Sequence, residues 1–297
     1  METMKKSQVA IITSGGGMKC AYSAGVLLAL AEQVKYEKPD IFVAASGSVA
    51  SMFYFLAGQY EDIRRTWTRY LPSASVVRYF PFPTINLDYI IDTLFRVNVP
   101  LDEARLAASP TKWSVPVMDT ATGDTAFIRN DTWFEPYAVM RAAKALPLLY
   151  NGHARLGGKE YMDGDISADI CDLLMEAAAL GAKRIICITN PKQRTQLERM
   201  LIILNAYGSR PVLRKALLRV LIPERNFCLP QDIEVLSITP EYLLPAGLFT
   251  RGRREIVETF NMGYDDLAGR TEEVRAFLDG TDVPSTASAP ELLPATV

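Results

Sequence analysis

The amino-acid sequence predicts an α/β fold with a mainly parallel central sheet and helices on both of its faces. The first indication is a β-branched apolar run at Val9–Thr13, followed by a glycine-rich break and then by a helical pattern rich in Ala and Leu at Ala21–Val34. The second is the same order repeated, with an apolar strand at Asp40–Ala45, a small-residue turn and an apolar helix to Ala57. Strands that alternate with helices are typical of parallel α/β sheets.

The same alternation continues along the chain. The pattern predicts two hairpins at Trp113–Arg129 and Arg155–Met162, two further buried strands at Arg184–Thr189 and Glu234–Thr239, and helices at Trp133–Leu146, Ala168–Leu180, Gln193–Leu221 and Arg251–Leu278. Glu61–Leu101 is rich in proline and aromatic residues, and we expect an irregular insertion that covers the sheet. Residues 1–280 are interpreted as one domain, and the Pro-, Ser- and Ala-rich residues 281–297 as a disordered tail.

Composition excludes several classes of protein. Of the 297 residues, 49% are hydrophobic and 22% are charged, which is ordinary for a globular protein and argues against disorder. The net charge of −2 argues against nucleic acid as the main partner, because such proteins are usually basic. The sequence therefore indicates a globular protein that does not bind nucleic acid.

The chain contains a single histidine, His153. One imidazole excludes a His-rich metal site and leaves room for only one Ser-His-Asp triad. In the α/β-hydrolase order the histidine follows the acid, whereas His153 precedes the candidate acid Asp163. We therefore interpret His153 as a loop or strand-edge residue.

Two features bear on location. Ile41–Tyr60 is uncharged and about as long as a membrane span, but its serines, its glycines and its strand-like first part favour a buried strand, turn and helix. The first residues contain no apolar signal-peptide segment, and none of the four cysteines forms a C-x-x-C pair. The expectation is a cytoplasmic protein.

A glycine-rich loop, Gly15-Gly16-Gly17, lies between the first strand and the first helix. Consecutive glycines leave backbone N–H groups uncovered near a helix N-terminus, where they stabilise negative charge. The P-loop pattern is absent, and no Asp or Glu ends the second strand as a dinucleotide site would require. An oxyanion hole and a tight turn without a ligand remain as alternatives.

Ser46 and Asp163 are the candidate reacting residues. Ser46 lies on a sharp strand-to-helix turn whose flanks, Ala44 and Ser48, are small, as the turn around a nucleophilic serine requires. Asp163 follows a strand and precedes Gly164, which predicts a carboxylate exposed at a sheet end and able to act as a base for Ser46. The alternatives are a helix N-cap for Ser46 and an ordinary Asp-Gly turn for Asp163.

Taken together, these segments resemble the patatin-like phospholipases. The most specific part is Ser14–Leu30, S-G-G-G-M-K-C-A-Y-S-A-G-V-L-L-A-L, which is similar to the family's glycine-rich block. The Ser46 turn, Asp163-Gly164, the Ala142–Pro147 segment and the Phe260–Ala268 segment follow in the family's order. The chain departs from the family pattern at Ala44, Ser48, Gly47, Cys20 and Asp165.

The resemblance implies a lipid acyl hydrolase with a serine–aspartate dyad that needs no histidine, metal or cofactor. It makes Ser46 the nucleophile and Asp163 the base, and assigns the oxyanion hole to the N–H groups of Gly15, Gly16 and Gly17. Lys19 falls at the basic position of the glycine-rich block, where it would hold the loop or meet a phosphate. Two alternatives remain open: a lipid acyltransferase, and a catalytically impaired lipid-binding relic.

A basic segment suggests a second partner besides a lipid or acyl-ester substrate. Lys192–Arg225 carries eight cations and two anions, so its net charge is +6. Leu213, Leu217 and Leu221 recur at helical spacing, and a basic amphipathic helix can lie on an anionic membrane. The alternative is an ordinary core-facing helix with a solvated basic face, and base rates favour it.

Overall fold

A computed structural model describes residues 8–79, 84–132, 135–147, 150, 154–190, 203, 206, 211–219, 229 and 232–281. The strands are β1 Val9–Thr13, β2 Ile41–Ala44, β3 Val77–Arg78, β4 Thr84–Ile85, β5 Lys112–Asp119, β6 Thr125–Arg129, β7 Ala154–Leu156, β8 Lys159–Asp163, β9 Arg184–Ile188 and β10 Glu234–Ile238. The expected tail lies outside the described residues, apart from Thr281.

The α-helices are α1 Ala21–Ala29, α2 Val49–Leu56, α3 Tyr60–Arg65, α4 Glu103–Ala108, α5 Pro136–Lys144, α6 Ile170–Ala179, α7 Pro211–Arg219, α8 Arg253–Ala268 and α9 Thr271–Asp279. Short 3-10 helices occupy Gly17–Cys20, Ser46–Ser48 and Gly164–Ile166, and π-helical segments occupy Leu30–Val34, Thr66–Tyr70 and Tyr89–Asn98. No helix in the described ranges is both long and apolar enough to cross a membrane.

The central sheet is mainly parallel, as expected. Its strand order is β10-β9-β1-β2-β5-β8-β7, and β6 pairs with β5 as an additional strand. The five strands from β10 to β5 are parallel, whereas β6, β7 and β8 add antiparallel pairs at one side. The strand-turn-helix interpretation of Ile41–Tyr60 and both hairpins are confirmed.

Both faces of the sheet are covered, because consecutive residues of β1 enter different hydrophobic clusters. Ile11 packs into the large cluster that contains α1 and α2, whereas Ala10 and Ile12 pack with α6 on the other face. Side chains alternate between the two faces of a strand, so an uninterrupted apolar run indicates burial on both sides. The core therefore lies on both faces of the parallel strands.

Two expectations about secondary structure were wrong. Glu61–Leu101 contains more helix than expected, with α3 continuing into the π-helical segment Thr66–Tyr70 and a second such segment at Tyr89–Asn98. Arg251–Leu278 forms two helices, because α8 ends at Ala268, with Gly269 as its C-cap, and the backbone of Arg270 leaves the helical region. Of the predicted helix Gln193–Leu221, the structure describes α7 and residues 203 and 206.

A close crossing of α1 and α8 explains two of the glycines in the family-like segments. A Cβ at Gly25 would overlap the carbonyl oxygen of Phe260, and a Cβ at Gly263 would overlap that of Tyr22. The two helices thus pack backbone against backbone. This crossing holds the C-terminal part of the domain against the helix that follows the glycine-rich loop.

We expect Gly25→Ala to lower the free energy of unfolding by about 3 kcal/mol, because a well-packed site must move to admit the methyl group. Urea unfolding followed by circular dichroism measures the change. Gly269→Ala is the matched control, because its φ of −67° suits alanine and its nearest neighbour lies 3.5 Å from the new Cβ. Equal stability of the two variants would contradict the close crossing.

Candidate active site

Ser46 lies on a strained turn between β2 and α2. Its φ of +49° is in the left-handed region, which costs a non-glycine residue about 1–2 kcal/mol. The next residue, Gly47, leaves no space for a side chain, since a Cβ there would lie 2.8 Å from both the Cys20 Sγ and the Gly17 carbonyl oxygen. The turn is thereby pressed against the glycine-rich loop, and Ser46 is only 5% exposed.

Asp163, the last residue of β8, is hydrogen-bonded to Ser46. The Ser46 hydroxyl donates to Asp163 Oδ2 at 2.6 Å, and the backbone N–H of Asp165 donates to Oδ1 at 2.9 Å. The sheet brings the two residues together, because β5 pairs on one side with β2, which leads to Ser46, and on the other with β8, where Asp163 lies opposite Val117.

The environment of Asp163 differs from the expectation. The sequence predicts a carboxylate exposed at a sheet end, but Asp163 is fully buried. Its strand β8 is antiparallel to β5, so the last residue of β8, Asp163, lies opposite Val117 within β5 and not beyond the end of that strand. The next position accommodates only glycine, because the Cα of Gly164 lies against the backbone of Pro116 and a Cβ would overlap its carbonyl group.

The glycine-rich loop adopts conformations that favour glycine. Gly16 has a φ of +146° and Gly17 a φ of +57°. Gly15 is buried, and a Cβ there would lie within 2.9 Å of the Asp165 carboxylate. The loop leads into the 3-10 helix Gly17–Cys20 and then into α1, so its amides lie at a helix start. The contact between Gly17 and Gly47 brings the loop beside the turn that carries Ser46.

Asn190, which sequence reasoning missed, anchors this loop. Its side-chain amide donates to the carbonyl oxygen of Ser14 at 2.8 Å and to Ser23 Oγ at 3.3 Å, and its backbone N–H donates to Ser14 Oγ at 2.8 Å. The Ser48 hydroxyl donates to the same carbonyl of Ser14 at 2.8 Å. Ser48, a departure from the family pattern, thus joins the Ser46 turn to the loop.

A second missed residue is Lys144, the last residue of α5. Its ammonium donates to the backbone carbonyl oxygen of Ser46. Both missed residues left a signal in the sequence: Asn190 closely follows a buried strand, as Ser14 and Ser46 do, and Lys144 is a lone charge in the apolar segment Ala142–Tyr150.

Burial determines the ionisation of these groups. Loss of solvent raises the pKa of Asp163 to about 7, with a further contribution from the negative charge of Asp165, while the hydrogen bonds from Ser46 and the Asp165 N–H and the charge of Lys144 oppose the rise. Burial lowers the pKa of Lys144 to about 8. Burial also raises the pKa of the Cys20 thiol to about 12, so it is protonated at neutral pH.

The structure says less about the other candidates, which are Lys19, His153 and the basic segment. Lys19 lies half-buried in the 3-10 helix, and its backbone N–H donates to the carbonyl oxygen of Gly16 at 3.2 Å. Contact of its side chain with a phosphate stays a prediction. His153 lies outside the described residues, and so does most of Lys192–Arg225.

Comparison with known proteins identifies the family. The family model described as patatin-like phospholipase matches residues 11–170, which include Ser46, Asp163 and the glycine-rich loop. The chain belongs to the patatin-like phospholipase family. This confirms the resemblance inferred from the Ser14–Leu30 block, and the α/β sheet agrees with it.

Individual relatives of this patatin-like chain are distant. The uncharacterized protein YjjU of Escherichia coli is 25% identical over 202 residues, which cover 65% of this chain and 55% of YjjU. The chain thus spans about half the length of that relative. Among solved structures, VipD from Legionella pneumophila is 14% identical, with a TM-score of 0.47 over 93% of this chain and 67% of VipD. Human GIVD cytosolic phospholipase A2 with methyl gamma-linolenyl fluorophosphonate is 12% identical, with a TM-score of 0.46 over 93% and 59%.

We expect Asp163→Asn to stabilise the fold above neutral pH. The pKa of this carboxyl is raised from 3.8 to about 7 on folding, so between these values the folded state binds more protons than the unfolded state and loses stability as the pH rises. The variant lacks this ionisable carboxyl group. Its free energy of unfolding, relative to that of the wild type, should therefore increase from pH 5 to pH 7.5. Urea unfolding at both pH values measures it.

Asp265→Asn, at an exposed position on α8, is the control for the loss of one carboxylate. A pH-independent difference between Asp163→Asn and the wild type would contradict the raised pKa.

Proposed function

We propose that this protein is a lipid acyl hydrolase, a phospholipase or esterase, in which Ser46 and Asp163 form the catalytic dyad. The observation that carries the proposal is the 2.6 Å hydrogen bond from Ser46 Oγ to the buried Asp163, on a strained turn beside a glycine-rich loop. Family membership supports a lipid acyl ester as the substrate. This bond is formed although Ala44 and Ser48 replace the usual glycines, which argues against an impaired relic.

In the first half-reaction, Ser46 Oγ attacks the ester carbonyl carbon while its proton passes to Asp163. The carbonyl oxygen becomes an oxyanion, and the N–H groups of Gly15, Gly16 and Gly17 stabilise it. The tetrahedral intermediate collapses, the bond to the alcohol breaks, and the leaving alcohol takes the proton from Asp163. The product is an acyl ester on Ser46.

Water completes the cycle. The water oxygen attacks the carbonyl carbon of the acyl-enzyme while Asp163 accepts a proton from the water. The proton passes from Asp163 to Ser46 Oγ when the fatty acid leaves. An alcohol in place of water would make the protein an acyltransferase, so the fate of the acyl group distinguishes that alternative.

Asp163 suits the role of base because its environment raises its pKa towards neutrality. A general base is most effective when its pKa lies near the working pH, since it then accepts a proton readily and is still ionised. An exposed carboxylate with an ordinary pKa would be a weak base for a hydroxyl. Burial thus gives this carboxylate a pKa near neutrality, as the histidine base of a triad has.

The proposal extends to the surroundings of the enzyme. We propose that residues 1–280 form one domain and that the protein is cytoplasmic, with peripheral membrane contact through the basic segment Lys192–Arg225. A segment with a net charge of +6 favours binding to anionic lipid. Lys19 at the glycine-rich loop is proposed as a supporting residue.

Substitution of the dyad tests the proposal. We expect Ser46→Ala to lower hydrolysis of acyl esters on the order of a thousandfold and to abolish labelling by a fluorophosphonate probe. Asp163→Asn should lower kcat/KM by about 10²–10⁴-fold, because the base is lost. Esters of graded chain length measure the activity, and thin-layer analysis with an added alcohol separates hydrolysis from transfer.

His153→Ala is the matched control, since the dyad requires no imidazole. Loss of turnover in a folded His153→Ala variant would instead indicate a triad, and an unlabelled wild type would indicate a relic.

The pH profile tests the assignment of the base. Asp163 accepts a proton only when it is ionised, so kcat/KM should rise with pH, with a midpoint near the pKa of about 7, and then level off. A soluble acyl ester assayed from pH 5 to pH 9 gives the profile. Full activity at pH 5 would exclude a carboxylate with a pKa near 7 as the base.

A further inference from the structure

Lys144, a half-buried residue, places its amine beside the proposed dyad, where loss of solvent lowers its pKa. The side chain extends from the C-terminal residue of α5, where a positive charge is also favoured by the helix dipole. Burial of a lysine is costly, and an isolated ammonium in an apolar environment is avoided unless other groups compensate it. The position of Lys144 therefore calls for a specific interaction.

The contacts of this segment reach both members of the dyad. The Lys144 ammonium donates to the backbone carbonyl oxygen of Ser46. The next residue, Ala145, accepts a hydrogen bond at 3.1 Å from the backbone N–H of Asp163. Two consecutive residues at the end of α5 thus hold the nucleophile's turn and the strand end that carries the base.

The described groups that affect the ionisation of Asp163 act in opposite directions. The Asp165 carboxylate disfavours the ionised form, and burial does so more strongly, whereas the Ser46 hydroxyl, the Asp165 N–H and the Lys144 ammonium favour it. The Cys20 thiol lies close enough to interact with Asp163 and Lys144 but is itself protonated at neutral pH. Lys144 thus adds a positive charge to the two hydrogen bonds that counter burial and the Asp165 carboxylate.

The geometry excludes a general base role for Lys144. Its amine donates to the Ser46 carbonyl, while the Ser46 hydroxyl donates to Asp163 Oδ2 at 2.6 Å. The proton to be removed thus faces the carboxylate. An effect of Lys144 on the reaction must act through Asp163 and through the conformation of the turn.

We propose that Lys144 is a positioning residue, which holds the Ser46 turn through its carbonyl group and keeps the Asp163 carboxylate ionised near neutral pH. This inference rests on the proposed dyad. Between about pH 7, where Asp163 ionises, and about pH 8, where Lys144 loses its proton, both groups carry their charges. The interaction is strongest in this window.

The rate of fluorophosphonate labelling of Ser46, measured from pH 5.5 to pH 9.5, tests the proposal without a known substrate. Lys144→Met has an uncharged, unbranched side chain that is one heavy atom shorter than lysine. In this variant the acidic limb of the profile, where the rate rises with pH, should move up by about one pH unit. Labelling at pH 7 should then fall about five- to tenfold. At pH 9.5 Asp163 is ionised in both proteins, so the rate difference should shrink to the part caused by loss of the hydrogen bond to the Ser46 carbonyl.

Lys144→Gln and Lys144→Arg separate charge from hydrogen bonding and replace the Met variant if it does not fold. Gln can still donate to the Ser46 carbonyl, but the rising part of its pH profile should be shifted to higher pH as in the Met variant. With Arg, the rising part should stay where it is in the wild type. Arg141→Met is the matched control, because Arg141 lies one turn earlier on α5 and pairs with Asp92 at 2.8 Å. Its limb should not move.

The outcomes are distinct. An unshifted limb in the Met and Gln variants, with or without a uniform loss of rate, would overturn the inference and leave Lys144 with a structural role. Absence of labelling in the wild type would instead contradict the proposed function. Circular dichroism and thermal unfolding establish which variants are folded before their rates are compared.

Discussion

The contact between the glycine-rich loop and the turn of Ser46 constrains the rest of the site. The loop leaves β1 and the turn leaves β2, two neighbouring parallel strands, so both emerge at the same edge of the sheet. They approach so closely that Gly47 has the Cys20 sulfur and the Gly17 carbonyl oxygen where a side chain would be. Small residues here follow from this approach, and the proposed oxyanion donors and the proposed nucleophile are neighbours because of it.

Polar side chains hold this contact in place. Asn190 and Ser48 both donate to the Ser14 carbonyl, which joins the ends of β9, β1 and β2 into one hydrogen-bonded unit. Buried polar groups that are satisfied in this way specify one arrangement, whereas an unsatisfied partner would be costly. The strain at Ser46 persists because the neighbouring structure determines its conformation on several sides.

Burial has two consequences for the dyad. It raises the pKa of Asp163 towards neutrality, which suits a base, and it makes the ionised state costly for the fold. The ionised Asp163 thus lowers the free energy of unfolding, as expected where function requires a group that destabilises the fold. Lys144 lowers and Asp165 raises the pKa of Asp163, so the two residues affect this balance in opposite directions.

The features of the site that could be predicted from the sequence are those formed by residues close together along the chain. The glycine loop and Ser46 are local patterns, since a small-residue turn between a strand and a helix has few alternatives. Asp163 was found through its turn, but its burial was not, because the Asp-Gly pair does not show that β8 enters the sheet antiparallel to β5. The π-helical segments in Glu61–Leu101 were missed because proline and aromatic residues obscure helical spacing.

The sequence by itself determined the alternation of strands and helices, the family, and the identity of the serine, the aspartate and the glycines. Only the tertiary structure decided that Asp163 meets Ser46 across 117 residues and that Lys144 reaches the Ser46 carbonyl across 98. Local spacing encodes turns and faces, whereas contacts at such separations depend on strand order and register. Ionisation depends on them as well, since burial exists only when the sheet and its helices are assembled.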